Sequence, residues 1–356
     1  MTTKQNNQNL TVKPERINEL AQRIELQVNS SVKQIDDINL ETKLLSINAR
    51  AEAARAGEAG RAFGVVASSI VELSESTSGI AKSLIDDVQP VTKELLEISK
   101  KLSTDVRGQR LTDLAMNNIE LIDRNLYERT CDVRWWATDS SMVDACEDKQ
   151  DRAKIDFVSK RMGIILNAYT VYFDLVLCDT EGRVLANGRP NLFASSGSNV
   201  SGKTWFEQAM KSANGDQYGM QSVHKCELTD NKRVLAYSCS VRSGGQVNGS
   251  IIGVLGILFD WDSLAQTIVK RTAIDSDEWD RTRVMILDEN GQILADTQDR
   301  ILDYFDFEGR DQLFGDKRGF IQTDVRGKKA LVAHSYSPGY ETYKSGWHSI
   351  IIQKNL

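Results

Sequence analysis

A set of aromatic side chains together with one lysine is the best candidate for a binding site in this sequence. Aromatic rings with a few polar groups are typical linings of small-molecule pockets. Aromatic residues also fill ordinary cores, so core packing is the alternative interpretation. The candidate ligand-binding residues are Tyr172, Lys203, Trp205, Phe206, Tyr218 and Tyr237.

No pattern typical of an enzyme accompanies these residues. The sequence has no nucleophile elbow, phosphate-binding loop or dinucleotide-binding fingerprint. His224 and Cys226 offer two metal ligands, whereas a zinc site needs three or four from the protein, so we interpret residues 224–226 as ordinary loop residues. We therefore expect a protein that is not an enzyme and has no catalytic residue, metal or cofactor.

Composition and charge narrow the class of protein further. The chain has 44 Lys and Arg against 50 Asp and Glu, a net charge of −6, which disfavours nucleic acid and anionic membrane surfaces as partners. Its longest strongly apolar stretch, residues 251–259, is far shorter than the roughly 20 residues of a membrane-spanning helix. Five cysteines without a Cys-x-x-Cys pair, and no apolar leader, predict a cytoplasmic protein with reduced thiols.

Residues 14–106 carry two runs of apolar residues with the alternating three- and four-residue spacing of a coiled coil. Glycines at 57 and 60 separate the runs, so the pattern predicts an antiparallel coiled-coil helical hairpin with its tip near 57–60. Two amphipathic helices alone leave a second apolar face uncovered, so we expect a homodimer. The polar residues 1–13 are predicted to be a disordered N-terminus.

The rest of the chain predicts a helical lead-in over 107–169, followed by strands with an internal repeat. Residues 175–186 match residues 284–295, and each copy contains an Asp-x-x-Gly sequence between two apolar runs. Aspartate and glycine in that spacing close a short hairpin turn. The sequence therefore predicts two tandem antiparallel sheet modules, 170–270 and 271–356, and an α+β multidomain fold.

The predicted hairpin tip carries a longer and more specific motif. Residues 44–67 read LLSINARAEAARAGEAGRAFGVVA, which resembles the kinase-control tip of methyl-accepting chemotaxis receptors. The resemblance implies a surface for the chemotaxis histidine kinase and its coupling adaptor, at Asn48, Arg61, Phe63, Val65 and Val66. It also implies contacts between dimers in a trimer of dimers, at Glu52, Arg55 and Glu58.

Some positions differ from the pattern of that family. This chain has Lys43 where the family usually has Asn, Arg50 where it has Ala and Ser69 where it has Glu. Arg50 adds a bulky charge beside a close-packed contact. Whether the tip still couples to the kinase, and whether methylation occurs, therefore stay open. These differences support an alternative, a non-signalling coiled-coil oligomerisation protein with a PAS-like binding module.

The two sheet modules after a long helix resemble a double Cache, or PAS-like, sensor. Members that sense amino acids have Arg-x-Trp-Tyr in the first module, where this chain has Lys203-Thr204-Trp205-Phe206. A lysine can pair with a ligand carboxylate, but without the bidentate fork of arginine. Leu258 stands where those members have Asp. An amino-acid ligand is therefore not supported, and an organic acid, another small ligand or no ligand stay open.

These expectations combine into one hypothesis about function. The protein is a cytoplasmic, chemoreceptor-like signal transducer that couples small-molecule sensing to the chemotaxis histidine kinase and its adaptor. Its signalling hairpin precedes its C-terminal sensor, the reverse of the common receptor order. The ligand, the sign of the response and association with chemoreceptor arrays stay open.

Overall fold

The computed structural model describes residues 14–354, so the expected disorder of residues 1–13 lies outside the described residues. The chain divides into two compact units, Met1–Arg107 and Gly108–Leu356. The helices are α1 (Pro14–Arg55), α2 (Arg61–Trp136), α3 (Ser140–Glu147), α4 (Arg152–Ala168), α5 (Thr204–Met210), α6 (Trp261–Lys270) and α7 (Arg310–Gly315). The strands are β1 (Tyr172–Cys178), β2 (Val184–Asn187), β3 (Gly219–Cys226), β4 (Lys232–Arg242), β5 (Ile251–Asp260), β6 (Thr282–Leu287), β7 (Ile293–Asp296), β8 (Arg318–Val325), β9 (Lys328–Tyr336) and β10 (His348–Lys354).

In the first unit, α1 packs against the start of α2 through small side chains. The Ser46 hydroxyl donates to the carbonyl of Ala67, and the Ser74 hydroxyl donates to the carbonyl of Asn39 at 2.8 Å. Buried positions recur every seven residues along both sides of this contact: Val32, Asn39, Ser46 and Ala53, against Gly60, Ala67, Ser74 and Ala81. Side chains of this size allow the two backbones to approach closely.

The larger apolar residues of the predicted seam lie elsewhere on the same helices. They remain exposed to solvent in the single chain, and they include Ile24, Ile38, Leu45, Leu73, Ile80, Val91 and Ile98. The sequence pattern suggested that these large apolar residues form the contact between α1 and α2. In the structure they do not. The reason is that the neighbouring small residues permit a closer contact, which leaves the large side chains outside it.

The second unit contains two five-stranded antiparallel sheets of identical topology. The strand orders are β2-β1-β5-β4-β3 and β7-β6-β10-β9-β8. The repeated turns also match, because Asp179 accepts hydrogen bonds from two backbone amides of its turn and Asp288 does the same. Gly182 and Gly291 have φ angles of +83° and +85°, which glycine adopts without strain. The prediction of two repeated sheet modules is confirmed.

Helices cover both faces of these sheets. The helix-side core lies between one face of both sheets and the helices α2, α3, α4 and α6. Helix α5 packs on the opposite face of the first sheet, and α7 packs on the opposite face of the second. Side chains of one strand therefore enter different cores according to the face on which they lie.

A buried histidine pair lies on the α7 side of the second sheet. The Nδ1 atoms of His334 and His348 are 3.4 Å apart, and the Phe314 ring stacks on His348 with centroids 3.9 Å apart. Burial, and secondarily the neighbouring His334, lowers the pKa of His348 from 6.5 to about 4. His348 therefore binds a proton less readily in the folded protein than in the unfolded chain.

Acidification is therefore expected to weaken this part of the fold. Because the pKa of His348 is lowered in the folded state, its titration does not change the free energy of unfolding above pH 6.5. As the pH falls from 6.5 towards 4, protonation in the unfolded chain lowers that free energy by up to about 3 kcal/mol. Urea unfolding of the wild type and of His348→Gln, between pH 7 and 4, measures this difference. Parallel pH profiles for the two proteins would contradict the prediction.

Candidate functional site

Lys203 lies immediately before α5, at the edge of a cavity of about 230 Å³. Its Nζ atom lies 2.9 Å from Oε2 of Glu227, which follows the end of β3. Asn199 and Asp230 also line this cavity. The site thus combines one cation with carboxylates and an amide, and an anionic ligand at Lys203 would compete with Glu227 for the ammonium group.

Trp205 and Phe206 lie in the buried core beneath α5, on the same face of the sheet as Leu258. The Trp205 ring packs directly on β5, where a Cβ atom at Gly256 would lie 2.8 Å from the ring. Most side chains of this core are apolar, but the Ser238 hydroxyl donates to the carbonyl of Trp205, and the buried carboxylate of Asp174 lies opposite Leu258 in the sheet. This carboxylate already accepts hydrogen bonds from the Asn187 side chain and from backbone amides, so it is paired within the fold.

Two residues that the sequence analysis did not place in this site lie close to Lys203. The lysine lowers the pKa of Glu227 through their hydrogen bond and charge attraction. His224 lies on strand β3 rather than in the loop we expected, and burial, with a smaller effect from Lys203, lowers its pKa. The turn between β3 and β4 brings these two residues close to Lys203. No local sequence pattern indicates this proximity.

The three tyrosines of the predicted set lie on the opposite face of the sheet, in or against the helix-side core. The Tyr172 hydroxyl donates to the buried carboxylate of Asp132, and the Tyr237 hydroxyl lies 2.8 Å from that of Tyr343. Tyr218 is half-buried, with its ring centroid 6.0 Å from that of Tyr237. The structure therefore does not bring the six predicted residues into one pocket, and their role in ligand binding stays a prediction.

The predicted signalling residues all lie exposed at or near the turn between α1 and α2. Phe63, Val65 and Val66 are 73%, 65% and 56% exposed, which leaves three apolar side chains within four residues open to solvent. An Arg55–Glu52 ion pair of 2.8 Å forms within the single chain. Exposed with them are Asn48, Glu58 and Arg61.

Comparisons with known proteins identify a family. The model of the Cache domain matches residues 15–355, and thus extends over both units rather than over the C-terminal half alone. The placement of the Cache region in that half therefore remains a prediction. Among residues 14–354, no helix is long and apolar enough to span a membrane.

Parts of the chain are similar to curated transducer proteins. It is 40% identical over 90 residues to transducer protein Htr18 of Halobacterium salinarum, which covers 24% of this chain and 10% of that protein. It is 46% identical over 70 residues to the biofilm dispersion protein BdlA of Pseudomonas aeruginosa, and this match covers 20% of this chain and 16% of that protein. The chain thus spans only a small part of the length of these relatives.

Solved structures share a fold with about two thirds of this chain. The sensor domain of the histidine kinase DctB of V. cholerae matches with a TM-score of 0.52 at 13% identity, over 68% of this chain and 95% of that domain. The ligand-binding domain of the Campylobacter jejuni chemoreceptor Tlp3, in complex with 4-methylisoleucine, matches with a TM-score of 0.50 at 16% identity. This match covers 69% of this chain and 90% of that domain. The structural matches show a shared fold, and the family model over residues 15–355 leads to one conclusion: the chain belongs to the Cache domain family.

Proposed function

We propose that this protein is a chemoreceptor-type signal transducer of the cytoplasm. Its Cache region senses a small molecule, and its helical hairpin binds the chemotaxis histidine kinase and the coupling adaptor. The observation that carries the proposal is the chemoreceptor-like sequence of residues 44–67 at an exposed helical turn. The curated relatives named as transducers and methyl-accepting chemotaxis proteins support the same assignment.

The exposed apolar side chains of the tip favour a binding role. Phe63, Val65 and Val66 form no core in the single chain, and clustered exposed apolar residues are typical of protein-binding surfaces. The charged residues Glu52, Arg55 and Glu58 lie beside them and would contact neighbouring dimers in a trimer of dimers. The kinase and adaptor would then bind the face that contains Asn48 and Arg61 as well.

A homodimer follows from the same reasoning along the hairpin. Leu45, Leu73 and Ile80 lie exposed at positions that continue the heptad pattern on both helices. A second copy of the hairpin would bury these side chains in a four-helix arrangement. Dimerisation would also place two copies of each tip side by side.

The sensor would act on the hairpin through α2, which contains residues of both units. A ligand at the Lys203 site would compete with Glu227 for the lysine and so change the contacts of α5. A resulting shift of α2 would alter helix packing in the hairpin by a few kcal/mol at most, about the size of a typical allosteric coupling.

Co-sedimentation of the purified full chain with the chemotaxis kinase and adaptor tests this proposal. We expect assembly with the wild type and an at least tenfold loss of assembled kinase with Phe63→Ala, because the exposed ring would form the centre of the contact. Phe157→Ala is the matched control, since Phe157 on α4 is also an exposed phenylalanine, at 57% against 73% for Phe63.

Two outcomes would contradict the proposal. One is the absence of assembly at high protein concentration, which would favour the oligomerisation protein without signalling. The other is an equal loss of assembly with Phe63→Ala and Phe157→Ala, which would show that the tip has no special role.

A further inference from the structure

A second cavity, of about 320 Å³, lies in the first sheet module at the C-terminal end of α2. The end of β4 and the loops around residues 215 and 246 complete its wall. It shares no lining residue with the cavity at Lys203, and its Cys239 belongs to the helix-side core. The two cavities are therefore separate, and this one is in direct contact with α2.

Arg242 brings an uncompensated positive charge to the wall of this cavity. The residue is only 7% exposed, and its guanidinium donates to the hydroxyls of Ser240 and Ser212 and to the carbonyls of Ser212 and Gly249. Four of its five N–H groups are thus used, all on neutral acceptors. Buried arginines are ordinarily paired with an acid, so this one is unusual.

A second arginine lines the same cavity. Arg134 donates from Nε to the carbonyl of Thr130 at 2.8 Å and from Nη1 to the carbonyl of Asp216 at 3.4 Å. Its Nη2 makes two longer contacts, with the Thr130 hydroxyl at 3.4 Å and the Cys131 sulfur at 3.6 Å, so all its acceptors are neutral. Within residues 14–354, no carboxylate lies within 4.0 Å of the guanidinium of Arg134 or Arg242. The only acid in the lining is Asp216, which is exposed. The cavity therefore carries a net positive charge.

The cavity also has an apolar wall. Trp135 is 68% exposed and Val247 is 40% exposed, and both line the space beside the two arginines. An inorganic anion would use only the charged side of such a cavity. A volume of about 320 Å³ suits a small organic molecule, since ligand pockets are typically about 300–1,000 Å³.

We propose that this cavity binds a small organic carboxylate. The carboxylate pairs with Arg134 and the remaining N–H of Arg242, and the apolar part of the ligand packs on Trp135 and Val247. Guanidinium groups match carboxylates in geometry and charge. The bound ligand contacts α2 directly, so this is a second binding site on the first module, independent of the function proposed above.

Fluorine NMR with 4-fluorobenzoate on the full chain tests this site, and neutral 4-fluorobenzamide is the matched probe. We expect binding of the benzoate, at least tenfold weaker binding of the benzamide, and at least tenfold weaker benzoate binding by Arg134→Gln. Arg152→Gln, at an exposed arginine of α4, is expected to bind benzoate as the wild type does. Inorganic phosphate is expected not to displace the benzoate.

The results that would overturn the site are equally specific. They are no benzoate binding at millimolar concentration, equal affinity for the two probes, unchanged binding by Arg134→Gln, or displacement by phosphate. Arg242→Gln is a second variant, expected to weaken benzoate binding as well. If it does not fold, Arg134→Gln decides alone, because Arg134 is only partly buried.

Discussion

Replacing Asp123 by alanine is expected to destabilise the second unit by about 3–5 kcal/mol. Asp123 lies on α2, and its fully buried carboxylate accepts hydrogen bonds from the segment between β9 and β10. The donors are the Ser337 and Ser345 hydroxyls, both at 2.6 Å, and the Gly339 and Ser345 amides, at 2.8 and 3.2 Å. Alanine would leave the buried Ser337 hydroxyl and the three partly buried donors without their acceptor, and an unsatisfied buried group costs about 1–3 kcal/mol.

Denaturant unfolding monitored by tryptophan fluorescence measures this effect. Asp113→Ala is the matched control, because Asp113 is an exposed aspartate of the same helix, and we expect a change below about 0.5 kcal/mol. Asp123→Asn retains one carbonyl acceptor and is expected to fall between the two. Equal stability of the two alanine variants would show that the hydrogen bonds to Asp123 contribute nothing.

Replacing Gly60 by valine is expected to open the tip of the hairpin. A Cβ atom at Gly60 would overlap the backbone carbonyl of Ala53, and a backbone atom cannot move aside as a flexible side chain can. The expected cost is about 2–3 kcal/mol, which corresponds to roughly 30- to 150-fold faster amide exchange in residues 46–67. Hydrogen exchange measured by mass spectrometry gives the rates.

Gly79→Ala, within α2, provides a control of opposite sign. A Cβ atom at Gly79 meets no other atom within 4 Å, and alanine stabilises a helix interior by about 1 kcal/mol relative to glycine. We therefore expect slower exchange with Gly79→Ala and faster exchange with Gly60→Val. Unchanged exchange at residues 46–67 in Gly60→Val would contradict the close contact at the tip.

The repeated sheets could be predicted because their signals are local. The Asp179 and Asp288 turns depend on a carboxylate two to four residues from the amides it accepts from, and on glycines at fixed offsets. Such spacing is visible in a sequence, and its duplication predicted two modules. The contact between α1 and α2 was harder to predict. Apolar and small residues both follow a seven-residue period, so periodicity alone does not show which set packs within the chain.

The binding site could be predicted only in part, for a reason visible in β4. All residues from Val234 to Arg242 are buried, because helices cover both faces of the first sheet. A strand buried on both faces shows no alternation of polar and apolar residues, so Tyr237 could not be assigned to a face. Lys203 and Trp205 could be recognised as one group because they lie two residues apart in the sequence. That Glu227 and Arg242 line cavities is visible only in the folded structure.

The proposed coupling of the tip to the chemotaxis kinase is the central claim, and the rate of kinase autophosphorylation tests it most directly. The measurement compares the kinase and adaptor alone, with the full chain, and with Phe63→Ala. The account predicts a rate with the wild-type chain that differs at least tenfold from the rate without it, and a return to the basal rate with Phe63→Ala. The same rate in all three mixtures would contradict it.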